Sequence, residues 1–337
     1  MKLLVTGGAG FIGSNFIHAY LRAHPRDQIV NLDKLTYAGN RDNLKDLDGD
    51  RRHGWAEGDI CDPATVQRAI SGCELVVHFA ADTHVDRSIT DPRQFVQTNV
   101  VGTSVLLEAA RKAQVRRFIY VSTDEVYGSC PEGAFTEMDG LRPSSPYSAS
   151  KAAGDLLVQA YVTTHQLPAL IVRPSNNFGP YQFPEKLIPL CITNALAGEA
   201  LPLYGDGLQR REWLYVEDHC TALDVLLREG QPGEIYNIGS GWEQTNADIM
   251  RMILRLLGRS ESLIKHVTDR PGHDRRYALD SGKLRALGWK PSRTFAEAMA
   301  TTVEWYRTHQ TWWSRLKERL REDRYHWLNR DAGAGAH

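Results

Sequence analysis

Residues 2–13 read KLLVTGGAGFIG, a short apolar run followed at once by a cluster of glycines. The run is typical of a buried strand, and Gly7, Gly10 and Gly13 then recur at every third position. Glycines spaced in this way allow a tight turn and let the backbone approach a pyrophosphate, while the N-terminus of the following helix offers N–H groups to the phosphates. The stretch therefore predicts an α/β fold of the Rossmann type with a dinucleotide site at its first turn.

The second predicted strand supports this site, because it ends at an acidic side chain. Asp33 lies 20 residues beyond Gly13, where a carboxylate hydrogen-bonds the adenosine ribose 2′-OH and repels a 2′-phosphate. NAD is therefore expected rather than NADP. Asp59 follows the third strand, next to Ile60, and could reach the adenine; alternatively, it caps the helix expected from Pro63.

Short runs rich in Val, Ile and Leu alternate with segments of helical periodicity over the first half of the chain. The predicted strands are Lys2–Thr6, Ile29–Leu32, Leu75–Phe79, Phe118–Ser122 and Ala169–Val172. The predicted helices are Ile12–His24, Pro63–Ser71, Gln94–Lys112 and Tyr147–His165, with Asn246–Leu257 and Phe295–Thr308 further along. Such runs suit strands buried on both faces, and their alternation with helices implies right-handed βαβ units. We therefore predict a doubly wound parallel sheet.

The composition of the sequence changes after residue 174, where frequent prolines and glycines predict a stretch rich in loops. We expect a second, smaller α/β lobe there, which the chain enters more than once. The predicted NAD-binding domain comprises residues 1–172 and about 213–240, and the predicted substrate domain comprises about 173–212 and 241–330. Residues 312–330 are expected to form a solvated surface helix, and residues 331–337 a frayed tail.

The charge balance bears on the class of partner. The 337 residues include 40 Lys and Arg against 41 Asp and Glu, which leaves a formal net charge of −1. Nucleic-acid-binding proteins normally carry a basic excess, so no nucleic acid partner is expected. No stretch of 18 apolar residues occurs, which predicts no membrane span. The apolar run after Lys2 is also too short for a signal peptide.

The cysteines and histidines indicate neither disulfides nor a metal. The five cysteines are scattered without a Cys-x-x-Cys pair, so a disulfide framework or a zinc knuckle is not expected, and the reducing cytoplasm fits better. His84, His219 and His273 do not have the spacing of metal ligands. No metal site is predicted.

A tyrosine and a lysine supply the candidate chemistry. Tyr147 and Lys151 stand at i and i+4 and so share one face of a helix. An ammonium beside a phenol favours the phenolate and is expected to lower its pKa from the usual value of about 10. A phenolate could take a proton from a sugar hydroxyl while NAD takes the hydride from the same carbon. Together with the glycine turn, this pair resembles the short-chain dehydrogenase/reductase superfamily, and the two-lobe layout resembles its extended, sugar-nucleotide branch.

Two adjacent acids come shortly after the predicted strand Phe118–Ser122. In an open parallel sheet, ligands bind beyond the carboxyl ends of the strands, so Thr123, Asp124 and Glu125 should face the nicotinamide. Thr123 can hydrogen-bond the substrate hydroxyl beside Tyr147. Two neighbouring carboxyls can be driven to different pKa values, which would make one an acid and the other a base. The alternative is that both acids merely cap the next segment.

Six longer blocks make the resemblance specific, because they look like those of dTDP-glucose 4,6-dehydratases. The blocks are ADTHVDRS (81–88), TDEVYG (123–128), RPSNNFGPY (173–181), FPEKLIP (183–189), REWLYVEDH (211–219) and DRPGHDRRY (269–277). The match spans roughly residues 1–305. It implies an NAD-dependent lyase that converts dTDP-glucose to dTDP-4-keto-6-deoxyglucose.

The resemblance assigns a step to each candidate residue. Tyr147, with Lys151, would deprotonate the C4 hydroxyl while hydride passes from C4 to NAD. Glu125 would then remove the C5 proton, and Asp124 would protonate the C6 hydroxyl, which leaves as water. Hydride would finally return to C6.

The resemblance also implies which residues contact each ligand. The cofactor contacts would be Gly7, Gly10, Phe11, Ile12, Gly13, Asp33, Lys34, Leu35, Thr36, Asp59, Ile60, Phe79, Ala80, Ala81, Thr98, Tyr147, Lys151 and Asn177. The substrate contacts would be Thr83, Thr123, Asn176, Lys186, Leu187, Pro202, Tyr204, Arg211, Asn246, Arg270 and His273. The basic residues of the second set would meet the charges of the diphosphate.

Several alternatives stay open at this point. A nucleotide-sugar 4-epimerase or a decarboxylase of the same superfamily would also use Tyr147, Lys151 and NAD, and a UDP- or GDP-sugar dehydratase would differ only in the base recognised. A non-catalytic Rossmann protein that senses NAD would not need the Tyr–Lys pair. The resemblance further implies a homodimer in which Gln94–Lys112 and Tyr147–His165 form a four-helix bundle; alternatively, those helices only pack on the sheet.

Overall fold

A seven-stranded parallel sheet forms the centre of the larger lobe. The structure, a computed structural model, describes residues 1–269 and 274–331, with side chains described as far as residue 320. The strands of this sheet are β1 (Lys2–Thr6), β2 (Gln28–Asp33), β3 (His53–Glu57), β4 (Leu75–His78), β5 (Arg117–Val121), β6 (Ala169–Pro174) and β10 (Ile235–Ile238). Their order is β10-β6-β5-β4-β1-β2-β3, and every pair is parallel. The predicted Rossmann fold is confirmed.

Helices cover both faces of this sheet, which explains why its strands are apolar throughout. The helices are α1 (Phe11–Ala23), α2 (Pro63–Ala69), α3 (Val85–Thr90), α4 (Pro92–Val96), α5 (Thr103–Lys112), α6 (Pro146–His165) and α8 (Val216–Glu229). Helices α1 and α8 pack together on one face, and α2, α5 and α6 pack on the other. The strand order reverses between β1 and β4, so a ligand crevice is expected at the carboxyl ends of these two strands.

The predicted helix Gln94–Lys112 is confirmed as part of one unbroken helical run over residues 92–112, the middle of which is π-helical. Residues 97–102 form a π-helical turn between α4 and α5. Within this turn the Asn99 side chain accepts a hydrogen bond from the Asp82 amide at 2.9 Å and donates one to the Asp82 carbonyl at 3.0 Å. The helix is thus held to the segment that follows β4, and periodicity alone carries no signal for such a contact.

The second lobe contains two small sheets and several helices. Its strands are β7 (Asn176–Phe178), β8 (Leu201–Tyr204), β9 (Arg210–Tyr215), β11 (Glu243–Thr245) and β12 (Ile264–Val267), in the orders β11-β9-β7 and β12-β8. Its helices are α7 (Leu187–Ala197), α9 (Asn246–Leu256), α10 (Gly282–Ala286), α11 (Phe295–Thr308) and α12 (Gln310–Asp331). An apolar core lies between α7, α9 and α11. The chain returns to the large sheet through α8 and β10. Residues 213–215, which were predicted to belong to the NAD-binding domain, are instead part of β9 in the second lobe.

The first half of α12 is more buried than a solvated surface helix would be, so that expectation is wrong for residues 312–320. Trp313 and Leu316 are buried. The Trp312 indole donates to the Asn43 Oδ1 atom in the larger lobe at 2.9 Å, and the Lys317 ammonium donates to Asn194 in the smaller lobe at 2.8 Å. This helix therefore joins the two lobes. Within the described ranges, no helix combines the length and the apolar character that a bilayer crossing needs.

Candidate active site

A cavity of about 310 Å³ opens at the carboxyl ends of the central strands, where the strand order reverses. Its wall includes all but one of the predicted cofactor contacts, all five predicted catalytic residues, and four of the predicted substrate contacts, namely Thr83, Thr123, Asn176 and Lys186. One edge of the sheet thus brings together residues that are up to about 180 positions apart in the sequence.

The glycines of the first turn meet two different requirements. A Cβ atom on Gly7 would lie 2.6 Å from the Ala80 backbone nitrogen, and one on Gly13 would lie 2.4 Å from the Gly7 carbonyl oxygen. Both positions therefore need glycine for the fold itself. Among the described residues outside its own helix, a Cβ on Gly10 would meet only the Gly7 oxygen, at 3.2 Å. Gly10 leaves room on the cavity side at the N-terminus of α1, as a close-lying pyrophosphate requires.

Asp33 ends β2 and faces the cavity beside this turn. Its two carboxylate oxygens accept hydrogen bonds at 2.8 Å from the amides of Ala9 and Leu35. Burial raises the pKa of Asp33, and these two bonds act in the opposite direction. Each oxygen keeps a second lone pair for a ribose hydroxyl. The donor set therefore suits the ribose of a dinucleotide.

Leu35 is the predicted cofactor contact that does not lie on the cavity wall. Its φ of +54° places it in the left-handed region, and its amide binds Asp33. Leu35 thus supports Asp33 through its backbone, which is a role that a sequence pattern does not distinguish from direct contact.

Asp59 pairs with a neighbouring lysine instead of capping a helix. Its carboxylate lies 2.7 Å from the Lys34 ammonium and accepts a bond from the Cys61 amide at 2.8 Å. Helix α2 is capped by Asp62, so the alternative that Asp59 provides this cap is wrong. Asp59 and Lys34 both lie on the cavity wall, together with Ile60.

Tyr147 and Lys151 lie in the first turns of α6, which is fixed by a capping box between Ser145 and Ser148. Both functional side chains are buried. The Lys151 ammonium donates to the Val121 carbonyl at the end of β5 at 2.7 Å. Burial lowers the pKa of Lys151 to about 8, although the negative charge of Asp155 acts against this shift. The ammonium is therefore held at the strand end that faces the cavity.

The expected lowering of the Tyr147 pKa is wrong for the chain on its own. Burial raises the pKa of Tyr147 far above its ordinary value, and the negative charge of Glu125 raises it further. A hydrogen bond with Thr123 acts in the opposite direction but is the weaker effect. Desolvation of a phenolate at this buried position, together with the negative charges of Glu125 and Asp124, outweighs the Thr123 hydrogen bond, so the neutral phenol is the stable form.

The two adjacent acids occupy unequal positions after β5. Thr123, not either acid, caps the short 3₁₀ turn over 124–127 by accepting a hydrogen bond from the Glu125 amide at 3.3 Å. Asp124 is only 2% exposed, and burial followed by the charges of Glu125 and Glu212 raises its pKa well above the usual value. Glu125 is half-buried on the cavity wall. The two acids therefore differ: Asp124 is buried and favours its protonated form, whereas Glu125 is more accessible from the cavity.

One carboxyl oxygen of Asp124 makes no hydrogen bond with any described residue. Its Oδ1 atom binds the Thr123 hydroxyl at 3.2 Å, whereas its buried Oδ2 atom has no hydrogen-bond partner among the described residues. Buried polar atoms are rarely left in this state. Because Asp124 lines the cavity, a bound ligand is one candidate partner for this oxygen.

The predicted substrate contacts divide into two groups. The Lys186 ammonium donates to the Thr83 carbonyl at 3.1 Å on the cavity wall. Asn176 lies nearby, and its Oδ1 atom is buried without a partner in the described ranges. The second group lies outside this wall. Leu187 is at the start of α7, Pro202 and Tyr204 are on β8, Arg211 is on β9, and Asn246 is at the start of α9. Arg270 and His273 lie outside the described residues.

Arg211, a member of the second group, is bound by other residues of the protein. It lies over the Tyr277 ring at 4.5 Å and donates to the carbonyls of Arg210 and Asp274 at 2.8 Å. Asn177, predicted to contact the cofactor, lies on the cavity wall and binds the His219 ring at 2.9 Å.

Sequence reasoning missed Glu185, whose largely buried carboxylate lies on the cavity wall and accepts a hydrogen bond from the Tyr37 hydroxyl at 3.1 Å. Its place inside the quoted block 183–189 was the available signal. Gln94 and Gln182 also lie on the wall. In the described part of the chain, no cluster of His, Cys, Asp and Glu could hold a metal ion.

Comparisons with known proteins agree on one family. Residues 4–302 match the family model described as GDP-mannose 4,6 dehydratase. A dTDP-glucose 4,6-dehydratase of Streptomyces niveus is 50% identical over 322 residues, which cover 94% of this chain and 96% of the relative. The dTDP-glucose 4,6-dehydratase 1 of Escherichia coli K12 is 49% identical and covers 94% of this chain, with 96% of its own length matched.

Solved structures show the same similarity. DesIV, a dTDP-glucose 4,6-dehydratase from Streptomyces venezuelae solved with NAD bound, superposes with a TM-score of 0.92 at 51% identity and covers 94% of this chain and 100% of its own. A UDP-glucose 4-epimerase from Thermus thermophilus, also solved with NAD, has a TM-score of 0.85 at 32% identity over 92% of this chain and 100% of its own.

Proposed function

The chain belongs to the GDP-mannose 4,6-dehydratase family, and we propose that it converts dTDP-glucose to dTDP-4-keto-6-deoxyglucose with NAD as its cofactor. One observation carries the proposal. A single cavity holds the Tyr147–Lys151 pair of a dehydrogenase together with the Asp124–Glu125 pair that elimination of water requires. Relatives near 50% identity bear the name of this activity, and DesIV was solved with NAD.

The residues present fit a bound NAD. Gly10 leaves space for the pyrophosphate at the start of α1, and Asp33 has lone pairs left for the ribose. Asp59, Ile60 and Lys34 would border the adenine. When bound, NAD supplies the acceptor for hydride from C4 and the donor of hydride to C6.

Tyr147 acts as the base for the C4 hydroxyl. Since burial keeps its phenol protonated, deprotonation depends on positive charge close to the ring. The Lys151 ammonium, bound to the Val121 carbonyl at 2.7 Å, is the cation that the chain itself places on this helix face. The Thr123 hydroxyl, which hydrogen-bonds Tyr147, also lies on the cavity wall and positions the C4 oxygen.

Glu125 and Asp124 carry out the elimination. The C4 ketone acidifies the C5 proton, which Glu125 removes from its half-buried position in the cavity. Hydroxide is a poor leaving group, so Asp124 delivers its proton to the C6 oxygen, which departs as water. When C6 receives hydride, Glu125 returns a proton to C5, which completes the 4-keto-6-deoxy sugar. A positioned acid or base contributes about 10²–10⁴ in rate, or about 2.7–5.4 kcal/mol.

The substrate extends from the cavity toward the smaller lobe. Thr83, Asn176 and Lys186 would hold the sugar and the adjoining phosphate. The remaining predicted contacts, Leu187, Pro202, Tyr204, Arg211, Asn246, Arg270 and His273, would hold the nucleotide beyond the cavity wall. This arrangement supports a division of labour in which residues 1–172 and about 216–240 mainly bind NAD, while about 173–215 and 241–330 mainly bind the sugar nucleotide; Thr83 and Thr123 would contact the substrate from the larger lobe, and Asn177 would contact NAD from the smaller one.

Incubation with dTDP-glucose and mass spectrometry of the product tests the function. Loss of one water is expected. An unchanged mass with an inverted C4 centre would indicate an epimerase, and loss of CO₂ from a uronic acid substrate would indicate a decarboxylase. Parallel assays with UDP-glucose and GDP-mannose determine the base, and the expected order of kcat/KM places dTDP-glucose first. The Tyr147→Phe variant is the matched control, because it lacks the base for the first step.

The proposal includes a cytoplasmic homodimer. Val96, Val101 and Leu156 lie on α4, the π-helical turn and α6, and they are 51%, 40% and 57% exposed. Apolar side chains exposed along adjacent helices suit a helical interface, which supports a four-helix bundle between two copies. The five cysteines carry free thiols, which suits a reducing compartment. Sedimentation of the purified protein measures the oligomeric state.

A further inference from the structure

A buried ion pair lies between the helix that carries Tyr147 and Lys151 and the neighbouring strand, and the proposed mechanism gives its arginine no role. The Arg173 Nε atom donates to the Asp155 Oδ2 atom at 2.8 Å, and both side chains are at most 2% exposed. Asp155 is on α6, four residues after Lys151, and Arg173 is on β6. Burying two charges is costly, and replacing such a pair by apolar side chains is often neutral or stabilising. Stability alone is therefore a weak explanation for this pair.

The guanidinium of Arg173 also contacts the segment that carries the acids. Its central carbon lies 4.6 Å from the centre of the Tyr127 ring. Tyr127 ends the short turn that begins at Asp124. A planar guanidinium can stack on an aromatic ring while it binds a carboxylate, and an ammonium cannot do both in this geometry. Arg173 thus connects the helix of Tyr147 and Lys151 with the turn of Asp124 and Glu125.

The turn depends on Tyr127 for much of its anchoring. The Tyr127 hydroxyl donates to Asn237 on β10 at 2.8 Å, and its ring stacks on Phe135 at 4.9 Å. Val126 and Tyr127 also pack against Ala152 on α6. A turn of four residues has little internal support, so these contacts determine where its acids lie. Helix α6, in contrast, has its own capping box and twenty residues of helix.

We propose that Arg173 is a positioning residue that sets the Asp124–Glu125 turn relative to the Tyr147–Lys151 pair, so that one sugar can undergo both oxidation at C4 and elimination across C5 and C6. The inference rests on the proposed function and adds a residue to it. Because α6 is anchored independently, loss of the Arg173 contact displaces the acids more than the redox pair. Elimination is then slowed more than C4 oxidation.

The test compares the two half-reactions in the Arg173→Lys holoenzyme. Lysine keeps the charge opposite Asp155 but loses the planar stack on Tyr127. A displacement of about 1 Å can cost about 10²-fold in rate, so elimination should fall about 10- to 100-fold while C4 oxidation changes far less. In a single turnover with dTDP-glucose, the absorbance of the reduced nicotinamide should accumulate, and incorporation of solvent deuterium at C5 should slow in step with water loss.

Two further variants separate positioning from folding. Tyr127→Leu removes the ring without touching a charge and should slow the same step, whereas Tyr127→Phe keeps the ring and should have the smaller effect. The double variant Arg173→Lys/Tyr127→Leu should be little worse than Tyr127→Leu alone, because Tyr127→Leu already removes the contact with Arg173. If Arg173→Lys does not fold, Tyr127→Leu decides the question. Arg117→Lys is the matched control, since Arg117 binds the Leu226 and Gly230 carbonyls at the opposite end of the sheet.

The outcomes are distinct. Equal losses in both half-reactions, or losses that merely follow a fall in Tm, would overturn the positioning role. Additive effects of Arg173→Lys and Tyr127→Leu would overturn it as well. A wild-type enzyme that left dTDP-glucose unchanged would instead refute the proposed function.

Discussion

Replacing Asp124 by asparagine should make the protein slower and, at neutral pH, no less stable. Asp124→Asn keeps the size of the side chain and keeps an oxygen that can accept from the Thr123 hydroxyl, now bound at 3.2 Å. It removes the proton that the C6 oxygen needs on departure. The loss of a general acid corresponds to about 10²–10⁴ in rate, or about 2.7–5.4 kcal/mol in the barrier.

The stability effect follows from the raised pKa of Asp124. Burial is the main cause of that shift, with Glu125 and Glu212 adding to it. At a pH above the ordinary Asp pKa of about 4, the folded state binds a proton that the unfolded state has released. Stability therefore falls as pH rises from that value toward the raised pKa. Asn carries no such proton, so the variant should lose this part of the pH dependence and gain free energy of unfolding at neutral pH.

Two assays check this prediction. Rapid-quench mass spectrometry should find C4 oxidation intact and water loss slowed, with the reduced nicotinamide visible during the turnover. Urea unfolding across the pH range should show a flatter profile than the wild type. Dehydration at the wild-type rate would refute the acid role of Asp124. A marked loss of stability at neutral pH would show that the carboxyl is ionised in the folded protein.

Three further predictions concern other parts of the site. Glu125→Gln should suppress incorporation of solvent deuterium at C5 by about 10²-fold or more; NMR of the recovered sugar measures it, and undiminished exchange would exclude Glu125 as the base. Gly10→Ala should lower the NAD content of the purified protein and should reduce the free energy of unfolding by no more than about 1 kcal/mol. Gly13→Ala should reduce it by about 1–3 kcal/mol, because its Cβ would lie 2.4 Å from the Gly7 oxygen. Equal losses of the two variants in chemical unfolding would contradict the view that Gly13 serves the fold and Gly10 the cofactor. Leu156→Glu should shift the sedimentation coefficient toward a monomer, with Met138→Glu as an exposed control outside α6, and an unchanged dimer would place the interface elsewhere.

The central sheet and its glycine turn were predictable because their signals are local. Strand β1, Gly7 to Gly13 and the start of α1 are contiguous, and Asp33 follows at the spacing that one βαβ unit imposes. The Tyr147–Lys151 pair is local in the same sense, because a helix places i and i+4 on one face. These features were confirmed in position, although their chemical roles remain predictions.

Features that depend on contacts between distant residues could not be read from the sequence. The π-helical turn exists where Asn99 binds Asp82, and the burial of Trp313 depends on how α12 meets both lobes. Arg173 belongs to a quoted block, yet nothing in the block shows that its partners are Asp155 and Tyr127. Tertiary packing produces these contacts, and pattern reasoning has no access to it.

Burial acts in opposite ways on the proposed roles of Asp124 and Tyr147, because an acid needs the neutral form of its side chain and a base needs the charged form. Removing water favours the neutral form of every group in the cavity: it keeps Asp124 protonated, keeps Tyr147 as a phenol, and lowers the pKa of Lys151 to about 8. If the proposed roles hold, the resting chain is therefore prepared for elimination, for which Asp124 must be protonated, but not for oxidation, for which Tyr147 must be a phenolate. On the proposed mechanism, the first step therefore depends on positive charge near the phenol. Lys151 is the residue proposed to supply it, and the charge of Asp155 favours its ammonium form. We therefore expect the first step, more than the elimination, to respond to a change of charge behind Lys151, and we expect Tyr147 to act as a base only when the cofactor is in place.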